Sequence, residues 1–296
     1  MNTDQHTADA FATSWNNLPA GSVYTREQYA DWMAPLTDMD VRDRNVLELG
    51  CGNGSLLLHT AAWKPRRLVG VDLGSSAETA RANLQRAGFT HAEVQQADLT
   101  EYSEGGFDVV YCIGVLHHLQ NPETGFAAVL RNVRPGGRFH CWVYAREGNG
   151  VVVALVEPIR KFASRLPWWF TKYLIATPLA VPFYLYAKTL RALVGNRAET
   201  LKGAPLRDYC LWIAPREFAF FRHVAFDQLV TPQTTYLKRE QIAGWLKDAP
   251  GVDPDSTYMI FRNGNSWKFG GRMQLADSQA TPGRNDARNG GQTARG

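Results

Sequence analysis

Val46-Leu47-Glu48-Leu49-Gly50-Cys51-Gly52-Asn53-Gly54-Ser55 decides the fold. The first four residues, apolar around one carboxylate, read as a short buried strand. Three glycines at every second position then turn the chain sharply, and an apolar helix follows from about Ser55 to Ala62. A strand, a glycine loop and a helix in direct succession open a βα unit. The glycine spacing separates cofactors. A dinucleotide fingerprint is GxGxxG. Here Gly54 comes one residue early, and Ser55 stands where the third glycine belongs. No Gly-Lys-Ser/Thr step follows, so a phosphate cradle is poorly supported.

Outward from this loop, apolar runs alternate with helical patterns. Arg67–Val71 reads as a second strand, Ala77–Ala87 as a helix, Ala92–Gln95 as a third strand and Phe107–Ile113 as a fourth. A helix from about Thr124 to Val133, a Pro135-Gly136-Gly137 turn and a fifth strand, Arg138–Val143, follow. The pattern predicts an α/β fold with a doubly wound (Rossmann-like), mostly parallel seven-stranded sheet covered on both faces. The alternation stops after Tyr144. It resumes with a helix over Leu237–Leu246 and a hairpin, Thr257–Phe261 with Ser266–Phe269, around an Arg262-Asn263-Gly264-Asn265 turn. Four regions result: a helical cover over 1–44, a core over 45–144 and 236–272, a mainly helical aromatic-rich insertion over 145–235, and a disordered tail over 273–296. The tail is rich in Gly, Arg, Asn and Thr and poor in apolar residues. Within the cover, Thr25-Arg26-Glu27-Gln28 reads as a helix start.

The composition fits a globular protein: 45% of the 296 residues are hydrophobic and 20% charged. The net charge of +4 comes from dispersed Lys and Arg mixed with Asp and Glu, which gives no nucleic-acid footprint. Cys51, Cys112, Cys141 and Cys210 form no CxxC or other metal spacing, so no metal site is expected. Free thiols beside buried strands and a polar start without a signal-peptide pattern predict a reduced, cytoplasmic protein. Tyr173–Ala187 is uncharged and apolar but only 15 residues long, with Pro178 and Pro182 inside. A membrane span needs about 20 residues. Two readings remain for the stretch around 168–190. It is a kinked helix pair packed on the core, or it makes peripheral membrane contact with Trp168 and Trp169 as anchors.

Ligands in open α/β sheets bind at the carboxyl ends of the strands. Asp72 ends strand two about 20 residues beyond the glycine loop, where an acidic residue bonds a ribose diol. Asp98, flanked by Ala97 and Leu99, follows strand three. A carboxylate there accepts from an adenine amino group while apolar neighbours hold the ring. His117 and His118 follow strand four, and imidazole titrates near neutral pH, so His117 is the first candidate for a general base. Structuring the turn into the next helix is the alternative use of this pair. Glu147, after strand five, either binds polar groups of an acceptor or anchors the insertion through a salt bridge. The aromatics of the insertion build its own core or wall an apolar pocket, with Asp227, Gln228 and Thr231 as polar residues facing it.

The ExGxGxG loop, Asp72, the Ala97-Asp98-Leu99 step, the Phe107-Asp108-Val109-Val110 strand and the Leu130–Gly137 turn occur in the order seen in class I S-adenosylmethionine-dependent methyltransferases. The chain resembles that family over Val46–Tyr144 and 236–271. The resemblance implies S-adenosyl-L-methionine as cofactor. It implies Glu48, Gly50, Cys51 and Gly52 beside the methionyl part, Asp72 on the ribose hydroxyls, and Leu73, Ala97, Asp98 and Leu99 around adenine. Ile113 and Gly114 would meet the methionyl amino end, and Tyr24 and Trp15 would cover the cofactor. The implied reaction is O-, N- or S-methylation of a small, apolar or aromatic acceptor. Amino-base methyltransferases of the family carry an Asn/Asp-Pro-Pro-Tyr/Phe step after strand four. Gly114-Val115-Leu116-His117 stands there instead, so no nucleic-acid partner is expected. Another alkyl or aminopropyl transfer from the same cofactor, and a non-catalytic cofactor-binding protein, are the alternatives. Oligomeric state is not legible.

Overall fold

The computed structural model of the protein describes residues 3–16, 23–195 and 201–275. Helices α1 (Thr3–Asn16), α2 (Arg26–Met33) and α3 (Asp38–Val41) precede the sheet. The core runs β1 (Asn45–Leu49), α4 (Ser55–Ala62), β2 (Arg67–Asp72), α5 (Ser76–Arg86), β3 (Glu93–Gln96) and β4 (Phe107–Ile113). A 3-10 turn over Leu116–His118 leads to α6 (Pro122–Asn132) and β5 (Val133–Tyr144). Then come α7 (Gly150–Ala163), α8 (Trp168–Phe170), a π-helical stretch over Thr171–Ala176 and α9 (Thr177–Val194). Helices α10 (Arg207–Ile213), α11 (Phe218–Val230) and α12 (Arg239–Asp248) precede β6 (Val252–Arg262) and β7 (Ser266–Met273).

Among the described residues the sheet has seven strands in the order β3-β2-β1-β4-β5-β7-β6. Strands β1 to β5 are parallel, and β7 runs antiparallel to β5 and β6. This is the doubly wound sheet expected from the strand-helix alternation. Strand side chains alternate between two cores, as a period of two requires. Leu47, Val110 and Cys112 pack with Phe126 and Ile242 on one face. Val46, Val109 and Tyr111 pack with Leu57, Ala80 and Tyr29 on the other.

Two boundaries differ from the sequence reading. Strand β5 begins at Val133, because Phe107 pairs with Val133 and Val109 with Arg138, so the Pro135-Gly136-Gly137 turn is a bulge inside the strand. The hairpin strands are longer than their apolar centres, because β7 pairs with β5 from Arg138 to Tyr144. The reading of a disordered tail from 273 starts on described residues, Met273 lying within β7. From 276 onward it lies outside the described residues.

The helix start at Thr25 takes the form of a capping box: Gln28 N donates to Thr25 Oγ1, and Thr25 N donates to Gln28 Oε1. Helix α2 is tied to the distant strands β5, β7 and β6. His140, buried with its basicity pushed down to about 4 by burial, donates from Nε2 to the Trp32 carbonyl at 2.8 Å. Asp31 pairs with Arg262, whose Nε lies 2.8 Å away, and Lys268 Nζ donates to the Asp31 carbonyl at 2.6 Å. These ties fix Trp32 in front of the strand ends. Cys51, Cys112, Cys141 and Cys210 are free and buried. Among the described residues no group of His, Cys, Asp and Glu is arranged to hold a metal, and no helix is long and apolar enough to cross a membrane.

Candidate cofactor and acceptor site

The carboxyl ends of β1 and β4 open into one cavity of about 230 Å³, which also takes in Asp98 beyond β3 and residues of α1, α2, α10 and α11. Its inner wall is the glycine loop. Gly50 N and Cys51 N both donate to the Val71 carbonyl, at 2.7 and 3.0 Å, which pins the loop to the end of β2. Gly50 has φ +80°, and a Cβ there would lie 2.3 Å from Val115 Cγ2. Only glycine turns the chain this tightly beneath the cavity. Gly54, in the left-handed region, caps α4 from a position where a Cβ would meet the α5 backbone at Ala80.

Glu48, Gly50, Cys51, Gly52, Leu73, Asp98, Leu99, Ile113, Gly114, Tyr24 and His118 all line this cavity. Of the expected site residues, Asp72, Ala97, His117 and Glu147 do not. Trp15 lies on α1, but its side chain is outside the described residues. The 1% exposed Glu48 receives one hydrogen bond among the described residues, from the Tyr111 hydroxyl at 3.0 Å. Burial pushes its carboxyl up to about 8, against the Tyr111 hydrogen bond and with the charge of Asp72 adding to the rise. Asp98 accepts from Thr100 N and Thr100 Oγ1 through Oδ1, at 2.8 and 2.7 Å. Its Oδ2 carries no hydrogen bond among the described residues. This set fits an adenosyl cation: a buried carboxyl that a cation would ionise at one end, an acceptor at the other, and a close-approach glycine loop between.

Asp72, expected to face a ribose, also has partners within the fold. Its Oδ2 accepts from Gly52 N at 2.8 Å, and its Oδ1 accepts from Gly74 N and Ser76 Oγ at 3.0 and 2.7 Å. The partly exposed carboxylate holds the loop that forms the cavity wall. Asp72→Ala is expected to release the loop and weaken cofactor binding by about 1.5–3 kcal/mol, the worth of one charged hydrogen bond. Isothermal titration of the variant checks this; wild-type affinity would show that the loop holds itself.

The general-base expectation for His117 is also corrected. Its ring is fully buried between Tyr144, at 4.3 Å between centroids, and His118, at 4.1 Å. Burial drives its basicity well below the usual imidazole range. His118 reaches the cavity, but its Nδ1 donates to the Gln233 carbonyl at 3.0 Å, and burial lowers its pKa to about 3. Glu147 accepts from Arg239 N and Trp267 Nε1, at 2.9 and 3.0 Å, so it anchors the last helix and strand.

The outer half of the cavity is aromatic. Tyr24, Trp32, Trp142, Tyr144, Tyr209 and Trp212 line it, with Arg262 stacked 4.9 Å over Trp212. Asp227, on α11, lines the same chamber, and its charge adds to the burial that raises the Tyr24, Tyr144 and Tyr209 phenols. Gln228 instead donates to the Tyr144 hydroxyl at 2.7 Å and accepts from the buried Arg160, while Thr231 donates to the Asp227 carbonyl. The sequence reading placed a helical cover over 1–44 but did not single out Thr7, Ala8 and Phe11 of α1 at the inner wall, nor His223 and Asn265. Their separation along the chain leaves no local signal. Trp32 falls on the buried stripe Gln28, Tyr29, Trp32 and Met33, which marks packing but not a ligand.

Fold and site together define an α/β protein with one cavity against a glycine loop and an aromatic chamber beyond it. The model of a methyltransferase domain family matches residues 46–137. A ubiquinone biosynthesis O-methyltransferase of Paracidovorax citrulli is 34% identical over 132 residues, covering 43% of this chain and 53% of that protein. A tRNA U34 carboxymethyltransferase of Azotobacter vinelandii is 28% identical over 167 residues, covering 54% of this chain and 51% of that protein. The matched region thus spans about half the length of these curated relatives. An O-methyltransferase family protein from Burkholderia thailandensis shares the fold, with a TM-score of 0.50 at 16% identity over 84% of this chain and 56% of that one. Residues 46–137 match a methyltransferase domain, and over that core the chain is similar to S-adenosylmethionine-dependent methyltransferases.

Proposed function

We propose that the protein methylates a small acceptor with a flat, largely apolar body, seated among the rings of the outer chamber. The observation that carries this reading is the continuity of one cavity from Glu48 and the glycine loop to Trp142, Tyr144, Tyr209 and Trp212. S-adenosylmethionine, when bound, supplies an electrophilic methyl on a cationic sulfur. The chain's own residues supply position and dryness. Glu48, Gly50 and Gly52 would hold the methionyl end, and Asp98, Leu73 and Leu99 the adenine. Helix α11 and Trp212 would close over the acceptor, and such positioning lowers a barrier by up to about 7–11 kcal/mol. For a hydroxyl acceptor, Asp227 would take the proton. The relatives named as ubiquinone biosynthesis O-methyltransferases favour oxygen as the methylated atom. Arg262 is the one Lys or Arg among the described lining residues, and Asp31 already pairs with it. That favours a small molecule over a polyanionic nucleic acid.

Incubation of the protein with methyl-labelled S-adenosylmethionine and a metabolite extract tests the reading by mass spectrometry. The expected result is S-adenosylhomocysteine plus one labelled product. Methylthioadenosine instead would mean a different group transfer.

The buried Glu48 predicts a pH signature. A ligand cation beside this carboxyl favours its charged form, so binding below pH 8 expels a proton. Affinity for S-adenosylmethionine is expected to rise with pH up to about 8, and the binding enthalpy to depend on the buffer's ionisation enthalpy. Glu48→Gln should remove both effects. Buffer-independent enthalpy in the wild type would show that Glu48 does not meet the cationic end.

A further inference from the structure

Helices α7 and α8–α9 form the outermost layer over α11, and they are apolar on both sides. The inward stripe of α9, Ala180, Ala187, Leu190 and Val194, is buried at helical spacing. A surface helix normally turns a charged face to water. Here the opposite side exposes Leu155 and Phe162 on α7, and Trp169, Leu174, Leu185 and Leu193 along α8–α9, each 50–65% exposed. A lone exposed apolar side chain needs no explanation, but six large ones on one outer helical layer do. The charge around it has one sign. Residues 150–195 contain six Lys or Arg against one acidic residue, Glu157, and that residue pairs with the buried Arg160. Lys161, Arg165 and Arg191 are exposed at its margins, and Lys172 lies over the Trp168 and Tyr173 rings.

We propose that this face docks the protein on an anionic lipid bilayer, with the apolar side chains entering the acyl boundary and the basic residues meeting the headgroups. No described helix is long and apolar enough to span. Apolar area with a cationic rim is the physical pattern of an interfacial helix, not of a transmembrane one. A second copy of the chain would bring the same basic rim against itself, which disfavours a symmetric dimer through this face. The inference does not depend on the acceptor or on the transfer reaction. Docking here would set α11, and the acceptor chamber beneath it, directly below the lipid surface.

Flotation with phosphatidylcholine vesicles, with and without phosphatidylglycerol, tests it. The full chain is expected to float with the anionic vesicles, to release as salt rises, and to show a blue-shifted tryptophan emission quenched by brominated lipid. Trp169→Glu/Leu185→Glu should lower partitioning at least ~10-fold, as should Lys161→Glu/Arg165→Glu, which reverses the charge at both positions. Unchanged S-adenosylmethionine binding certifies that each variant is folded. The charge-reversal pair leaves the apolar packing intact if the other pair misfolds. Absence of flotation by the wild type overturns the proposal. So does light scattering showing a wild-type oligomer that the Trp169→Glu/Leu185→Glu variant dissolves, because the face then belongs to a second copy.

Discussion

Asp227→Asn is expected to lower kcat about 10²–10⁴-fold, the usual worth of a general base, with KM and S-adenosylmethionine affinity near wild type. The reason is elimination by geometry. His117 is packed behind the cavity, His118 Nδ1 is held by the Gln233 carbonyl, and Glu147 is bound to Arg239 and Trp267. Asp227 lines the chamber on α11, near enough to Tyr24, Tyr144 and Tyr209 for its charge to act on all three. Asparagine keeps the size of the side chain and its hydrogen-bonding reach but cannot accept a proton. The experiment is steady-state kinetics on the acceptor identified by labelled-methyl analysis. A kcat that survives the substitution would mean that the acceptor needs no base, as for an amine or thiol, or finds one elsewhere.

Gly50→Ala is expected to be equally damaging by a different route. An L-residue at φ +80° costs about 1–2 kcal/mol. The new Cβ would also lie 2.3, 2.8 and 3.0 Å from Val115 Cγ2, Cγ1 and Cβ, so no rotation of Val115 clears the space. The backbone must shift, and the shift displaces the loop that borders the cofactor. The Tm should fall by roughly 5 °C or more, and cofactor affinity by at least ~10-fold, or about 1.4 kcal/mol. Gly50→Ala/Val115→Ala should recover part of the stability, since it removes the clash but not the strained φ. Scanning calorimetry and titration of both variants separate the two contributions. Wild-type behaviour in Gly50→Ala would show that the loop has slack.

Both predictions rest on features that differ in how far the sequence exposes them. The sheet was legible because strand patterns and glycine turns are local. Val46–Leu49, Arg67–Val71 and Phe107–Ile113 are bounded runs, and short right-handed connections leave few orders in which parallel strands can lie. Glu48, Gly50, Gly52 and Asp98 follow directly from strand ends. Which imidazole of the His117–His118 pair reaches the cavity was not legible. Consecutive residues on a 3-10 turn point about 120° apart, and only the packing of Tyr144 and Trp142 fixes the phase. Asp72 was legible as an acid at a strand end. Its partners were not, because Gly52, Gly74 and Ser76 come together only when β1 and β2 are side by side. The aromatic chamber was the least legible part. It joins Trp32 on α2, Trp142 on β5 and Trp212 on α10, and the Asp31–Arg262 pair that braces it links residues at opposite ends of the chain.

Isothermal titration of the wild-type protein with S-adenosylmethionine, in two buffers of different ionisation enthalpy, bears most directly on the site. One equivalent binding with proton release, the release vanishing in Glu48→Gln, is the expected outcome. A folded protein that takes up no S-adenosylmethionine would contradict the assignment of this cavity to the cofactor.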